Sequence, residues 1–262
     1  MNNIWTPEDI LCMQYSGMPA EQIMNIDEDS DEYAEAYAEY IDRAEEILSM
    51  QRRRGVVTQT FQGSGFPASL KKIGRDCPPL IHCLGDLSLL APDARRIAII
   101  GARAASPEGN AKAYELGRRL AEEGKVIVSG LALWCDKSAH EGCLDAGGKT
   151  IAIVASGLNF VHPQENAPLQ QRILDNGGLV LSEQPFGVKA NPSRLVARNR
   201  LQAALSEEVI LAECPEKSGS MHTMRFARKY RKRCFAVTYP KYSDINAGNE
   251  LLLTQNLARP IE

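Results

Sequence analysis

Ile97-Ala98-Ile99-Ile100-Gly101-Ala102-Arg103-Ala104-Ala105-Ser106 reads as a strand, then a tight turn of small residues, then the start of a helix over 107–123. The strand is apolar throughout rather than alternating, which is the pattern of a strand covered on both faces. The same unit recurs downstream. Apolar runs at Val126–Ser129, Thr150–Ala155, Leu179–Ser182, Val209–Leu211 and Cys234–Val237 read as further strands. Helical patterns at 135–146, 167–175, 193–205 and 220–230 fall between them. Six strands separated by five helices predict an α/β fold with a doubly wound, mostly parallel sheet. Such sheets place ligands beyond the C-terminal ends of their strands.

Upstream the pattern differs. Residues 6–50 read as helical. Thr6-Pro7-Glu8-Asp9 sets a capping residue before a proline and two acids, and a second helix spans about Asp31 to Arg53. Its inward stripe is predicted at Ala34, Tyr37, Ile41, Ala44, Ile47 and Leu48. Residues 55–95 are punctuated by Gly and Pro and read as a bridging segment of strands and turns. The expected organisation is an acidic helical region over 1–54 and a main domain over 55–262, with 55–95 as its bridging extension.

Charge follows that division. Residues 1–50 hold thirteen acids and one base, a net of −12, while residues 51–262 hold twenty-nine bases and twenty acids, a net of +9. A basic main domain suggests a polyanionic partner, with a solvated basic surface as the bland alternative. No apolar run approaches the ~18 residues of a membrane span. The N-terminus lacks a basic region and an apolar signal core, so a cytoplasmic protein without membrane contact is expected. Seven cysteines, an odd number without a C-x-x-C pair, argue against a disulfide framework or zinc ribbon. Cys135, Cys143, Cys214 and Cys234 read as small hydrophobes. Neither metal nor cofactor is expected, and no catalytic residue is assigned.

The candidate binding residues gather at strand ends. Gly101 and Arg103 follow the first strand, and Ser129 and Gly130 the second. Asp136 and His140 lie one helical turn apart. They form an acid–base pair on one reading, and a helix cap with a structural histidine on the other, favoured one. Cys135, His140 and Cys143 are too compact for zinc. Glu183 is either a base or ribose ligand or a surface acid. Arg198, Asn199 and Arg200 lie on one helical pattern, with Arg194 a turn before Arg198. Ser218-Gly219-Ser220 with Thr223 opens the next helix and offers hydroxyls, N–H groups and a positive helix end to a phosphate. Arg225, Arg228, Lys229 and Lys232 then form a secondary basic face. Together they suggest a track for a sugar-phosphate backbone. Trp134, Phe160, Tyr239 and Tyr242 are the few aromatics placed to stack on bases.

The ordered series resembles the DprA/Smf family of DNA-processing proteins. It comprises Phe66-Pro67-Ala68-Ser69-Leu70, Gly101-Ala102-Arg103, Ser129-Gly130-Leu131-Ala132, Gly157-Leu158-Asn159, His162-Pro163 with Asn166, Ser182-Glu183, Arg198-Asn199-Arg200, Ser218-Gly219-Ser220 with Thr223, and Gly248-Asn249. The resemblance runs from about residue 55 to the C-terminus. It implies an extended Rossmann-like domain that binds and protects single-stranded DNA without catalysis. It further implies a homodimer that helps load the RecA recombinase in natural transformation, competence and DNA recombination. Arg103, Arg198, Arg200 and the Ser218–Ser220 turn would line its phosphate pocket. The chain departs from the family pattern at Trp134-Cys135-Asp136 (usually Gly-Ile-Asp), at Leu195-Val196-Ala197 before the arginines (usually Phe-Pro) and at Thr238-Tyr239-Pro240 (usually Pro-Gly). The first departure puts a large ring at the pocket rim. No winged helix is expected after Glu262, and the acidic region lacks helix-hairpin-helix glycines. The competing expectations are a LOG-like nucleotide hydrolase, whose Pro-Gly-Gly-x-Gly-Thr loop is absent, and a small-nucleotide sensor.

Overall fold

The computed structural model describes residues 4–262. Helices α1 (Pro7–Tyr15), α2 (Ala20–Ile23) and α3 (Asp31–Arg53) come first, followed by β1 (Val57–Thr60), α4 (Ala68–Lys71) and β2 (Leu80–Gly85). Strict alternation begins at β3 (Arg96–Ile100), with α5 (Pro107–Glu122), β4 (Val126–Ser129), α6 (Cys135–Asp145) and β5 (Thr150–Val154). It continues through α7 (Ala167–Asp175), β6 (Leu179–Ser182), α8 (Pro192–Leu205), β7 (Glu208–Leu211), α9 (Gly219–Lys229) and β8 (Arg233–Val237). α10 (Ala247–Thr254) and β9 (Arg259–Ile261) close the chain.

One sheet runs in the order β1-β2-β6-β5-β4-β3-β7-β8-β9. Every neighbouring pair from β6 to β9 is parallel, while β2 pairs antiparallel with both β1 and β6. The six expected strands and five expected helices are all present, so the fold is α/β and doubly wound. Three further strands complete the sheet. β1 (Val-Thr-Gln-Thr) and β9 (Arg-Pro-Ile) carry no apolar run because each is an edge strand, and Pro260 is tolerated there for the same reason. β1 and β2 both fall in the bridging segment, where strands are expected.

Side chains of β3 alternate between two helical layers. Ile97 and Ile99 pack with Ala113 and Leu116 of α5 and Ala139 of α6. Ala98 and Ile100 pack on the other face with Leu201 and Leu205 of α8 and Met224 of α9. The chain moves outward from β3 through β4, β5 and β6, then returns by α8 to place β7 on the opposite side of β3. The switch point therefore lies between β3 and β7, where connections leave in opposite directions and open a crevice.

The N-terminal helices pack onto the sheet edge. Thr6 and Asp9 complete a capping box at α1, each side chain accepting from the other's backbone N–H. Ala44 and Leu48 of α3 are buried with Ile10, Leu11, Met13 and Leu80 of β2. Ala34 and Tyr37, expected on the inward stripe, are exposed. The helix is rotated because Tyr33 packs against Trp5, with ring centroids 4.7 Å apart, which brings Ala36 inward. Gln51, at the end of that buried line, accepts from Phe186 N–H at 2.9 Å, and its amide nitrogen donates to His82 Nδ1 of β2 at 2.9 Å.

Candidate functional site

The crevice between β3 and β7 holds a pocket of about 440 Å³. It is built from the β3–α5 turn, the β4–α6 turn, α8 and the β7–α9 turn. Gly101 is required in the first turn, because a Cβ there would lie 2.4 Å from Cys135 Sγ and collide with α6. Gly130 is required in the second. A Cβ would lie 2.5 Å from an Arg198 nitrogen and 2.6 Å from both Asp136 Oδ2 and Gln202 Nε2. Three polar side chains thus converge on one bare backbone position.

The expected pocket residues divide by role. Arg103 is exposed and lines the pocket. Ser218 caps α9, accepting from Ser220 N–H at 3.3 Å, and Gly219 has open space where a Cβ would stand. Ser220 Oγ donates to Gly101 O at 2.6 Å and locks the α9 N-terminus to the β3 turn. Asn199 donates to Gly219 O at 3.1 Å, and Thr223 lines the wall. These residues set a helix N-terminus, with its positive end, on the crevice.

Arg198 lies at the pocket floor and is only 4% exposed. Its Nη1 donates to Gly130 O at 2.6 Å and to Ile153 O, and its Nε to Asn199 Oδ1 at 3.3 Å. Burial pushes its pKa down to about 10, against the favourable field of Asp136. Arg198 is therefore a buried strut that joins α8 to the ends of β4 and β5, not the free strand-end cation the sequence suggests. Asp136 is likewise buried, and burial raises its carboxyl pKa, with Arg198 pulling the other way. Both shifts express desolvation first. Asp136 Oδ2 accepts from Ala132 N–H at 3.3 Å, so it fastens the turn before α6.

The other expected residues are turned elsewhere. Arg200 stands two residues from Arg198, so the helix aims it away. Its guanidinium forms a two-pronged pair with Glu183, at 2.7 and 2.5 Å, and donates to Asp76 O at 2.8 Å. It latches α8 to the bridging segment and does not line the pocket. The same pair removes Glu183 as a free base or ribose ligand. Ser129 is fully buried and donates to Ile99 O at 2.7 Å, tying β4 to β3. Arg194 donates to Lys189 O at 3.1 Å rather than projecting with Arg198.

The basic face also divides. Arg225 and Arg228 are exposed on α9, but Lys229 is paired with Asp76 and Lys232 donates to Ala204 O at 2.8 Å beyond the helix end. His140 does not meet Asp136. Thr150 Oγ1 donates its hydrogen to Ile127 O at 2.8 Å, so at 2.7 Å it accepts from His140 Nδ1–H. Burial holds that histidine down to about 3. It is structural, which is the favoured expectation.

Two contributors, Lys217 and Glu213, escape a sequence reading. Lys217 is exposed and lines the pocket beside Ser218, but it sits in a loop without periodicity. Glu213 is buried and accepts from Ser106 N–H at 2.6 Å and Ser106 Oγ at 2.9 Å, which holds a negative charge at the α5 N-terminus. An acid inside the apolar run Val209–Cys214 is the signal that marks it. Asn249 accepts from Cys214 N–H at 3.0 Å and donates to Ala212 O at 2.8 Å, fixing the β7–α9 turn. Among the described residues no cluster of three or more His, Cys, Asp or Glu is placed to hold a metal.

Comparison with known proteins agrees with this architecture. The sequence profile of DNA recombination-mediator protein A matches residues 58–262. The chain belongs to the DprA/Smf family. It is 33% identical to DNA processing protein DprA of Bacillus subtilis over 215 residues, 82% of this chain and 71% of that protein. Protein Smf of Synechocystis is 33% identical over 191 residues, 68% of this chain and 47% of that protein. The chain thus spans from about half to about seven tenths of these DprA/Smf relatives. Among solved structures, DprA of Streptococcus pneumoniae superposes with a TM-score of 0.78 at 29% identity, covering 98% of this chain and 90% of that one. DprA of Helicobacter pylori, solved for its single-stranded DNA binding mode, gives 0.69 at 36% identity over 78% of this chain and 90% of that one. The family's Rossmann-like sheet is the fold described above. No helix among the described residues is long and apolar enough to cross a membrane.

Proposed function

We propose that this chain is a non-catalytic single-stranded DNA-binding protein that holds the sugar-phosphate backbone in the switch-point pocket. The wider role is protection of the strand and loading of a RecA-type recombinase during DNA uptake and natural transformation, with the chain acting as a homodimer in the cytoplasm. One observation carries the reading. Exposed Arg103 and Lys217 flank the open N-terminus of α9 at a pocket whose lining, among the described residues, holds a single carboxylate. That carboxylate, Asp136, is already set against Arg198. The mouth is thus positive and polar, as a phosphate requires. Support from comparison comes from the Helicobacter pylori relative. The pocket volume also falls within the range of small-ligand sites, which keeps a nucleotide sensor or LOG-like nucleotide hydrolase as the second reading.

Titration of a labelled oligothymidylate by fluorescence anisotropy, repeated across salt concentrations, separates the two. DNA binding predicts a log–log slope of several units, about 0.7 per phosphate neutralised on a single strand. Arg103→Ala is expected to weaken binding by roughly tenfold or more, since charge-assisted contacts contribute about 1.5–3 kcal/mol. Its melting temperature should stay at the wild-type value, because the side chain is exposed and makes no hydrogen bond or ion pair among the described residues. A flat salt response, with tight binding of a mononucleotide instead, contradicts the DNA reading.

A further inference from the structure

Trp134 is held in a backbone conformation that its side chain disfavours, and it is about half exposed in the turn beside the pocket. Its φ of 72° and ψ of −119° fall in a region that glycine occupies freely and bulky residues rarely enter. The residue is 48% exposed, so a large part of its surface is left in solvent. It makes no hydrogen bond, ring contact or cation contact within the described residues. Local geometry disfavours a tryptophan here, and no directional contact within the described residues holds its ring.

The turn around it is firmly fastened. Asn166 Nδ2 donates to Leu131 O at 2.9 Å, Ala132 N–H to Asp136 at 3.3 Å, and Ser138 N–H to Trp134 O at 2.8 Å. Leu131, also at positive φ, is fully buried. The turn is held in place and keeps Trp134 in its disfavoured backbone conformation. Its neighbours locate it. Ala132 and Asp136 line the main pocket, and Leu133 lines a smaller cavity that shares Arg103 and Arg198 with it. The turn carrying Trp134 thus lies between lining residues of both cavities, beside the cationic mouth. Phe160, Tyr239 and Tyr242 do not share this role. Tyr239 is buried and donates to Ala212 O at 2.9 Å, Tyr242 packs against it, and Phe160 lies under Lys189.

We propose that Trp134 is a stacking platform for a nucleobase of a single strand whose phosphates occupy the Arg103–Ser220 pocket. This rests on the DNA reading and adds a base contact to it. An exposed indole presents a rigid flat face, and stacking on it accepts any base.

The chain contains two tryptophans, and Trp5 is buried in the N-terminal cluster, so a Trp5→Phe background leaves Trp134 as the sole indole fluorophore. Oligothymidylate is expected to quench that emission saturably. Trp134→Gly should melt at or above the wild-type temperature, because glycine fits the backbone. It should nevertheless bind the oligonucleotide at least about fivefold more weakly, the lower end of what one stacked base contributes. Trp134→Phe should retain most of the affinity. An abasic sugar-phosphate oligomer should bind wild type and Trp134→Gly equally. Unquenched emission, together with unchanged affinity of Trp134→Gly for oligothymidylate, overturns the platform while leaving the DNA reading intact. Failure of the wild type to bind either oligomer overturns the DNA reading and the platform with it.

Discussion

Lowering the pH from 7 to 4 is expected to remove several kcal/mol of folding stability, with two buried histidines as the main source. His82 and His140 are both fully buried, and burial holds each at about 3 in the folded chain. The hydrogen bonding reinforces this. Gln51 is oriented by Phe186 N–H, so its amide nitrogen must donate to His82 Nδ1. That leaves Nδ1 without room for a second proton. His140 uses its Nδ1–H on Thr150, so a proton would have to enter at Nε2, which has no partner among the described residues and feels the Arg198 charge. An unfolded histidine titrates near 6.5. Between about 6.5 and 3 the unfolded chain therefore binds more protons, and stability falls as pH falls. The effect is on the order of 3 kcal/mol per histidine by pH 4. Asp136, whose pKa burial raises, works in the opposite direction. Denaturant midpoints measured against pH check the claim. His140→Gln should flatten the slope between pH 6 and 4 by about one proton, whatever its stability at pH 7. An unchanged slope would show that the histidine titrates alike in both states.

Arg198→Ala is expected to destabilise the protein by roughly 3–5 kcal/mol, the cost of removing one member of a buried charged set. The carbonyls of Gly130 and Ile153 would each lose a donor, and Asp136 would lose the cation that opposes the effect of its burial. DNA affinity would fall as a consequence of the damaged floor, so the melting temperature is the decisive readout. Arg198→Lys should recover part of the loss by retaining the charge without the planar fork. The contrast with Arg103→Ala is the useful one. The first change lowers stability, and the second lowers binding at constant stability. A wild-type melting temperature for Arg198→Ala would show that its guanidinium is solvated and free.

What the sequence makes legible follows from periodicity. The apolar runs of β3 to β8 announce strands covered on both faces, and Ser218-Gly219-Ser220 before an amphipathic run announces a helix N-terminus at the binding edge. Directions of side chains are not legible in the same way. Arg198 and Arg200 look equivalent on paper, yet two residues along a helix is more than half a turn, so one supports the pocket and the other grips Glu183 and Asp76. Ser129 stands at a strand end like the pocket residues, but its hydroxyl is spent inside the sheet on Ile99 O. Lys217 is invisible because a loop carries no period. The rotation of α3 is decided by Tyr33 meeting Trp5, a contact between two elements that neither one encodes alone. The acidic N-terminal region also looks detachable from its charge alone. It contributes Gln51 to the buried His82 bond and apolar cover to Leu80, so its electrostatic effect on DNA binding is better tested by neutralising exposed acids such as Glu35 and Glu39 than by truncation.

Backbone amide shifts during an oligothymidylate titration locate the bound phosphates. The largest changes are expected at Gly101–Arg103 and at Lys217–Ser220, where the two turns meet at the switch point. Largest changes at Arg225 and Arg228 on the outer face of α9, with Gly219 and Ser220 unmoved, would contradict the pocket as the phosphate site.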